Sequence, residues 1–152
     1  MTNEEIKQLV VSIIPDAVFE DGKQFLNVIV PSEKIYAFLK NLKENPLTNF
    51  DYLFCQTGVD WLTHFMVVYH LTSTTQKHSI VVKAKIENRE NSQIDSVSAL
   101  WATAEFHERE IYDLFGIKFT NHPDLRRILL EDDWNGFPLR KDYVDDVTIV
   151  QL

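Results

Sequence analysis

Apolar residues along this chain recur with two alternating periods. Ile6, Leu9, Val10, Ile13 and Ile14 fall at helical spacing and Pro15 ends the run, while Thr2 and Glu5 form a capping-box pair, with Asn3 as another candidate cap. Residues 17–20 and 23–30 switch to a period of two. Leu26, Val28 and Val30 share one face, Phe25, Asn27 and Ile29 the other, and Asp21-Gly22 predicts a tight two-residue hairpin turn between the segments. Pro31 breaks the second strand. A second helical stripe follows at Ile35, Phe38, Leu39 and Leu42, with Ser32 as its candidate cap and Asn45-Pro46 as its stop.

Three further strands are expected, at residues 52–60, 65–71 and 79–86. The middle one, Phe65-Met66-Val67-Val68-Tyr69, is apolar on both faces, as a central strand is. In the last, Ile80, Val82, Ala84 and Ile86 alternate with Val81, Lys83 and Lys85, which gives one wetter face. Residues 72–76 read as a polar turn and 87–93 as a polar, mobile loop. A third helix spans residues 103–115, where Ala104, Ile111 and Phe115 align, Leu114 sits at the edge, and Gly116 supplies a left-handed stop. The order helix, hairpin, helix, three strands, helix is that of an α+β, two-layer domain. Its helices pack on a mostly antiparallel or mixed five-stranded sheet.

Residues 117–152 break this rhythm. They are expected to form an irregular, extended C-terminal segment of the same domain, 1–116 being its α+β part. Phe119, Leu125, Ile128, Leu129, Leu130, Trp134, Phe137 and Leu139 make the segment too apolar for a solvated tail, so it should dock on its own domain or on a partner. The third helix also turns Phe106, Arg109, Glu110 and Asp113 away from its apolar stripe. Glu105–Arg109 and Arg109–Asp113 are i, i+4 pairs, so the plain reading is a solvated, ion-paired face. Phe106 among the charges suggests instead that this face meets something.

Composition narrows the choice. The 152 residues are 45% hydrophobic, 12% aromatic and 25% charged, which suits one folded domain. A net charge of −8 argues against a nucleic-acid binder and against adhesion to anionic lipid. No apolar run reaches the roughly 18–20 residues that span a bilayer, and the N-terminus lacks a basic signal-peptide start, so a cytosolic chain is expected. Cys55 is the single cysteine. It excludes an intrachain disulfide, supplies one thiolate where an iron–sulfur cluster needs four ligands, and reads as an inert buried thiol in a strand. CxxC and the glycine-rich nucleotide motifs are missing, so no redox cofactor is expected on this chain.

Candidate chemistry is sparse. His107 and Glu108, with Glu110 and His122, invite a metal or acid–base site, but the second histidine of HExxH is lacking and edge residues of an apolar stripe are usually satisfied structurally. His64, His70 and His78 have no convergent partners. Arg126-Arg127 and Arg140-Lys141 lie among Trp134, Phe137 and Tyr143. They serve either surface solubility or, as arginine and aromatic groups do at hot spots, a partner interface.

Glu108-Arg109-Glu110, Asp113, Leu114-Phe115, His122, Arg126 and Ile128-Leu129 keep the spacing of a known signature, and residues 136–143 follow as its next block. In these residues the chain resembles the C-type subunit of proton-pumping NADH:quinone oxidoreductase, respiratory complex I. The likeness is densest over residues 101–143 and weaker back to Asp51. It implies an α+β fold and a non-catalytic structural or assembly subunit in the peripheral arm. Such a subunit packs on the hydrogenase-like D-type subunit near cluster-bearing subunits and supports electron transfer from NADH to quinone. Flavin, iron–sulfur clusters and quinone would belong to other subunits, and membrane association would be indirect, at the inner face of the cell membrane. The implied partner-binding residues are Phe106, Glu108, Arg109, Glu110, Asp113, His122, Arg126, Arg127, Trp134, Phe137, Arg140 and Lys141. The alternatives are the equivalent subunit of a membrane-bound hydrogenase or ferredoxin-dependent relative, and a stand-alone metal-dependent hydrolase using His107, Glu108 and His122.

Overall fold

The computed structural model describes residues 1–20 and 22–145. Helix α1 (Asn3–Ile13) starts at the Thr2–Glu5 capping box and turns Ile6 and Val10 into the core. Strands β1 (Val18–Glu20) and β2 (Leu26–Pro31) form the expected hairpin, with Leu26, Val28 and Val30 buried. The tight Asp-Gly turn is corrected. Glu20 pairs with Asn27, so the connection is a longer loop, and Asp21 itself lies outside the described residues. The physical reason is register: Leu26, Val28 and Val30 must face the core, and a loop yields to that more readily than a buried face does.

Ser32 opens a single 3₁₀ turn (Ser32–Lys34) and makes no side-chain cap, contrary to expectation. Helix α2 (Ile35–Glu44) then buries the stripe Ile35, Phe38, Leu39 and Leu42. Strands β3 (Tyr52–Asp60), β4 (Phe65–Thr72) and β5 (Ser79–Ile86) complete a five-stranded sheet in the order β1-β2-β5-β4-β3. The β2–β5 pair is parallel and the others antiparallel. The apolar faces of α1, α2 and helix α3 (Ala104–Phe115) meet the inner side chains of this sheet in one cluster.

A register shift between Leu53 and Cys55 bulges β3, so that Leu53 and Gln56 both point inward although their spacing is odd. The bulge leaves Cys55 half-buried rather than in the core, which corrects the expected buried thiol. Two three-residue strands were not expected. β6 (Gln93–Asp95) pairs in parallel with β7 (Lys118–Thr120), burying Ile94 against Phe119. They bring the stretch before α3 beside the chain that leaves it, so the segment after Gly116 begins as regular structure. A run of three residues is too short for its period to be read.

Helix α3 lies on β3 through Gly58, where an added Cβ would stand 2.9 Å from the Phe115 ring and 3.1 Å from Ile111. Gly58→Ala is therefore expected to lower stability by about 1–3 kcal/mol, as overpacking does, and Phe115→Leu in the same chain should recover part of the loss. Thermal denaturation of the single and double variants reads this out, and an unchanged melting temperature for Gly58→Ala would refute the close approach.

A candidate docking face around helix α3

Helix α3 ends where Gly116 adopts φ 72°, the left-handed conformation that glycine takes without a Cβ penalty. The chain then passes through β7 and returns along the helix. The polar side of α3 is therefore solvated only in part: residues 126–130 of the same chain close over Arg109 and Asp113, while Phe106 and Glu110 stay exposed. Among the described residues neither expected i, i+4 ion pair of Arg109 forms.

Asp113 and Asp60 organise this covering, and Glu108 fixes the chain that leads into the helix. Asp113 is fully buried. Its Oδ2 accepts the backbone N–H groups of Ile128, Leu129 and Leu130 at 3.1, 2.7 and 3.0 Å, and its Oδ1 accepts Nη1 of Arg127 at 2.8 Å. Burial would raise the Asp113 pKa, but Arg127 and these amides outweigh it and hold the group below the usual carboxylate range. Glu108, also fully buried, accepts Ser96 Oγ at 2.5 Å and the Val97 N–H at 2.8 Å, with Gln56 Nε2 at 3.4 Å. Here burial wins, and the pKa is raised despite those donors. Asp60, at the end of β3, holds both ends of the Arg89 guanidinium and accepts the N–H groups of Leu62 at 2.7 Å and Lys141 at 2.9 Å. Burial opposes ionisation there too, yet Arg89 and the two amides bring its pKa down to about 2.

The arginines mostly serve the chain's own carbonyls. Arg109 is buried and donates to the carbonyls of Arg126 and Arg127 at 3.2 and 3.0 Å, its guanidinium 6.0 Å from the Phe106 ring. Arg127 reaches the carbonyls of Asp113, Trp134 and Gly136 and lies 5.1 Å from the Phe137 ring. Arg140 donates from Nε to the Phe115 carbonyl at 2.6 Å, between the rings of Phe65 and Phe137. Arg126 is exposed and pairs with Asp124. Lys141 is exposed, with Nζ 5.7 Å from the Trp61 ring. A Cβ on Gly116 would stand 2.6 Å from the Phe137 ring and 2.7 Å from Arg140.

Of the residues expected to meet a partner, Glu108, Arg109 and Asp113 are thus corrected to internal positions. The physical reason is that their charges hold irregular backbone whose N–H and C=O groups have no strand or helix to pair with. Arg127 and His122 are committed to the same task. His122 Nδ1 accepts the Asp124 N–H at 3.0 Å, which places the ring proton on Nε2, donated to the Glu105 carbonyl at 2.9 Å. With both nitrogens engaged, His122 has no lone pair for a metal. Among the described residues no group of three or more ligating side chains gathers. Phe106, Glu110 and Trp134 remain exposed, and Phe137 and Arg140 are half-buried. Asp60 and Arg89 were missed. Arg89 fell in the supposed mobile loop, which it anchors to Asp60 and Asp142, and no local spacing links it to either acid.

Asp60 carries a pH signature. Its folded pKa of about 2 lies below the ordinary 3.8, so its contribution is complete above about pH 4 and fades as pH falls toward 2. The shift corresponds to about 2 kcal/mol. Asp60→Asn should lower stability by about that amount near neutrality, and the gap to the unaltered chain should close between about pH 4 and 2. Denaturation curves over this range decide it, and a gap that does not vary with pH would refute the assignment. Arg109→Ala, which removes the donor to two partly buried carbonyls, should lower the melting temperature by an amount equivalent to about 1–3 kcal/mol. An unchanged value would mean that the tail holds without it.

The model of the family described as respiratory-chain NADH dehydrogenase, 30 Kd subunit, matches residues 28–147. The chain is 38% identical over 147 residues to the C-type subunit of the NADH-quinone oxidoreductase of Roseiflexus sp. (strain RS-1), covering 93% of this chain and 84% of that one. It is 50% identical over 121 residues to the C-type subunit of Citrifermentans bemidjiense, covering 78% and 73%. It is 43% identical over 124 residues to the C/D-type subunit of the NADH-quinone oxidoreductase of Phocaeicola vulgatus, covering 81% of this chain but 24% of that relative. A chain in the structure of the membrane-bound sulfane sulfur reductase, an archaeal respiratory membrane complex, superposes with a TM-score of 0.78 at 28% identity, covering 95% of this chain and 86% of that one.

Proposed function

The chain belongs to the family of the respiratory-chain NADH dehydrogenase 30 Kd subunit, the C-type subunit of NADH-quinone oxidoreductases, and we propose that it works as a non-catalytic structural subunit of the peripheral arm, docked on a hydrogenase-like D-type subunit. The C/D-type relative carries this reading. One polypeptide bears both designations, and this chain matches only 24% of it, leaving most of its length for the other unit. Two parts joined in one chain are held beside each other, and the same neighbour is proposed here across separate chains.

In this role the chain transfers no electrons. Cys55 is its single thiol, and Glu108, Arg109 and Asp113 of α3 are used up in hydrogen bonds to the chain itself. Flavin, iron–sulfur clusters and quinone are assigned to other subunits. Membrane attachment is assigned to the complex: among the described residues no helix is long and apolar enough to cross a bilayer. A second reading, the equivalent subunit of a related membrane complex with another electron donor, is favoured by the likeness to the sulfane sulfur reductase structure.

Capture of the tagged chain from native membranes in mild detergent, with mass spectrometry of what accompanies it, tests both. Recovery of a D-type subunit together with NADH:quinone activity supports the first reading. A D-type subunit recovered with a hydrogenase or sulfur-reducing activity instead supports the second. Capture of the chain with no D-type subunit would overturn both.

A further inference from the structure

We infer that the face meeting the D-type subunit is one narrow strip, with Phe106 and Glu110 of α3 at its centre and Ile128, Leu129 and Leu139 along its edges. The strip receives an apolar segment of that subunit bearing a lysine or arginine for Glu110. The inference rests on the docking reading above and assigns its contact residues.

Phe106 and Glu110 stand one turn apart on the exposed side of α3. The tail is stitched along this side. Arg109, between them in sequence, grips the carbonyls of residues 126 and 127, and Asp113 grips the amides of residues 128–130. That clamp leaves the side chains of Ile128 and Leu129 outside, at 39% and 63% exposure, and Phe106 on the gripped helix is 60% exposed. At the C-terminal end of the helix the Leu139 N–H bonds to the Leu114 carbonyl, and the Leu139 side chain is 53% exposed there. Four large apolar groups gathered around one helix face make a patch of the kind that marks a protein contact.

Charge complementarity identifies the occupant's chemistry. Arg109 and Asp113 are committed to the backbone, whereas Glu110 is exposed without a hydrogen-bond or ion-pair partner among the described residues. Glu131, Asp132 and Asp133, also exposed, follow directly on the Leu129 edge. An apolar strip with an acidic centre and an acidic rim selects an apolar segment with basic groups, and it repels an acidic surface such as a second copy of this chain, whose net charge is −8. The signature residues thus divide into those that hold the tail and those that the tail leaves facing outward.

The test captures the full-length tagged chain from native membranes as wild type, Phe106→Ala with Leu129→Ser, Glu110→Lys, and Val18→Ser as a control on the β1 edge. Hydroxyl-radical footprinting compares the wild-type chain free and in its captured complex. The inference expects the Phe106/Leu129 and Glu110 variants to recover the D-type subunit about tenfold less well or worse while melting as the wild type does, with the control unaffected. It also expects Phe106 and Leu129 to be protected from oxidation in the complex while exposed Leu47 is not. If the wild type recovers the D-type subunit and the strip variants do so equally, or if Phe106 and Leu129 are oxidised alike in both states, the strip is overturned and the docking reading stands. If a variant melts early, the wild-type footprint alone decides. Failure of the wild type to recover a D-type subunit overturns the docking reading and this inference with it.

Discussion

A carboxylate withdrawn from water must have its lone pairs filled, and Asp113 fills them from the chain that follows it. Three successive amides and one guanidinium converge on its two oxygens. The remaining geometry of the C-terminal half follows from this constraint. The chain must reverse after α3 to reach Asp113, which requires a left-handed residue at 116, and the reversal brings Phe137 and Arg140 so close that only glycine fits. Arg127, drawn to Asp113, is then placed to hold the carbonyls of Trp134 and Gly136. Irregular backbone is satisfied by side chains in this region rather than by strands or helices.

Asp60 repeats the device at the other end of the segment. It binds Arg89 from one loop and the Lys141 amide from another, so the two acids pin the tail at 128–130 and at 141. Along this segment Arg127 and Arg140 point inward to carbonyls, while the apolar side chains of Leu129 and Leu139 stay exposed. That is the reverse of the usual arrangement, and it turns a segment without a core of its own into a platform. Glu108 does related work on the N-terminal side of α3, fixing the Ser96–Val97 corner that leads into the helix.

Much of the fold was legible from spacing. The stripes of α1, α2 and α3, the strand faces of β2, β4 and β5, and the Gly116 stop all follow from periods of 3.6 and 2 over enough residues to count. What was not legible depends on contacts between distant residues. β6 and β7 are stable only against each other, the β3 bulge shows only in the register with β4, and the long β1–β2 loop answers to a face set elsewhere. The polar side of α3 was misread for the same reason. Arg109 and Asp113 at i, i+4 are compatible with a mutual ion pair, and nothing local says that backbone 15–18 residues away binds them instead. Phe106, odd among charges, stays exposed.

The clamp also sets an order of events. Arg109 and Asp113 reach their places only when α3 has formed and packed on β3, yet their partners lie later in the chain. Until the tail arrives, the helix bears two charges facing groups that do not yet exist there. Closure of residues 122–143 rests on hydrogen bonds to that helix while most of its own side chains stay half-buried or exposed, so it is expected to open at less cost than the sheet. Any ligand that requires the closed tail adds its binding free energy to that closure. In the role proposed above, a neighbour seated on the closed tail would be such a ligand, and the subunit's docking surface would be completed by the assembly it joins.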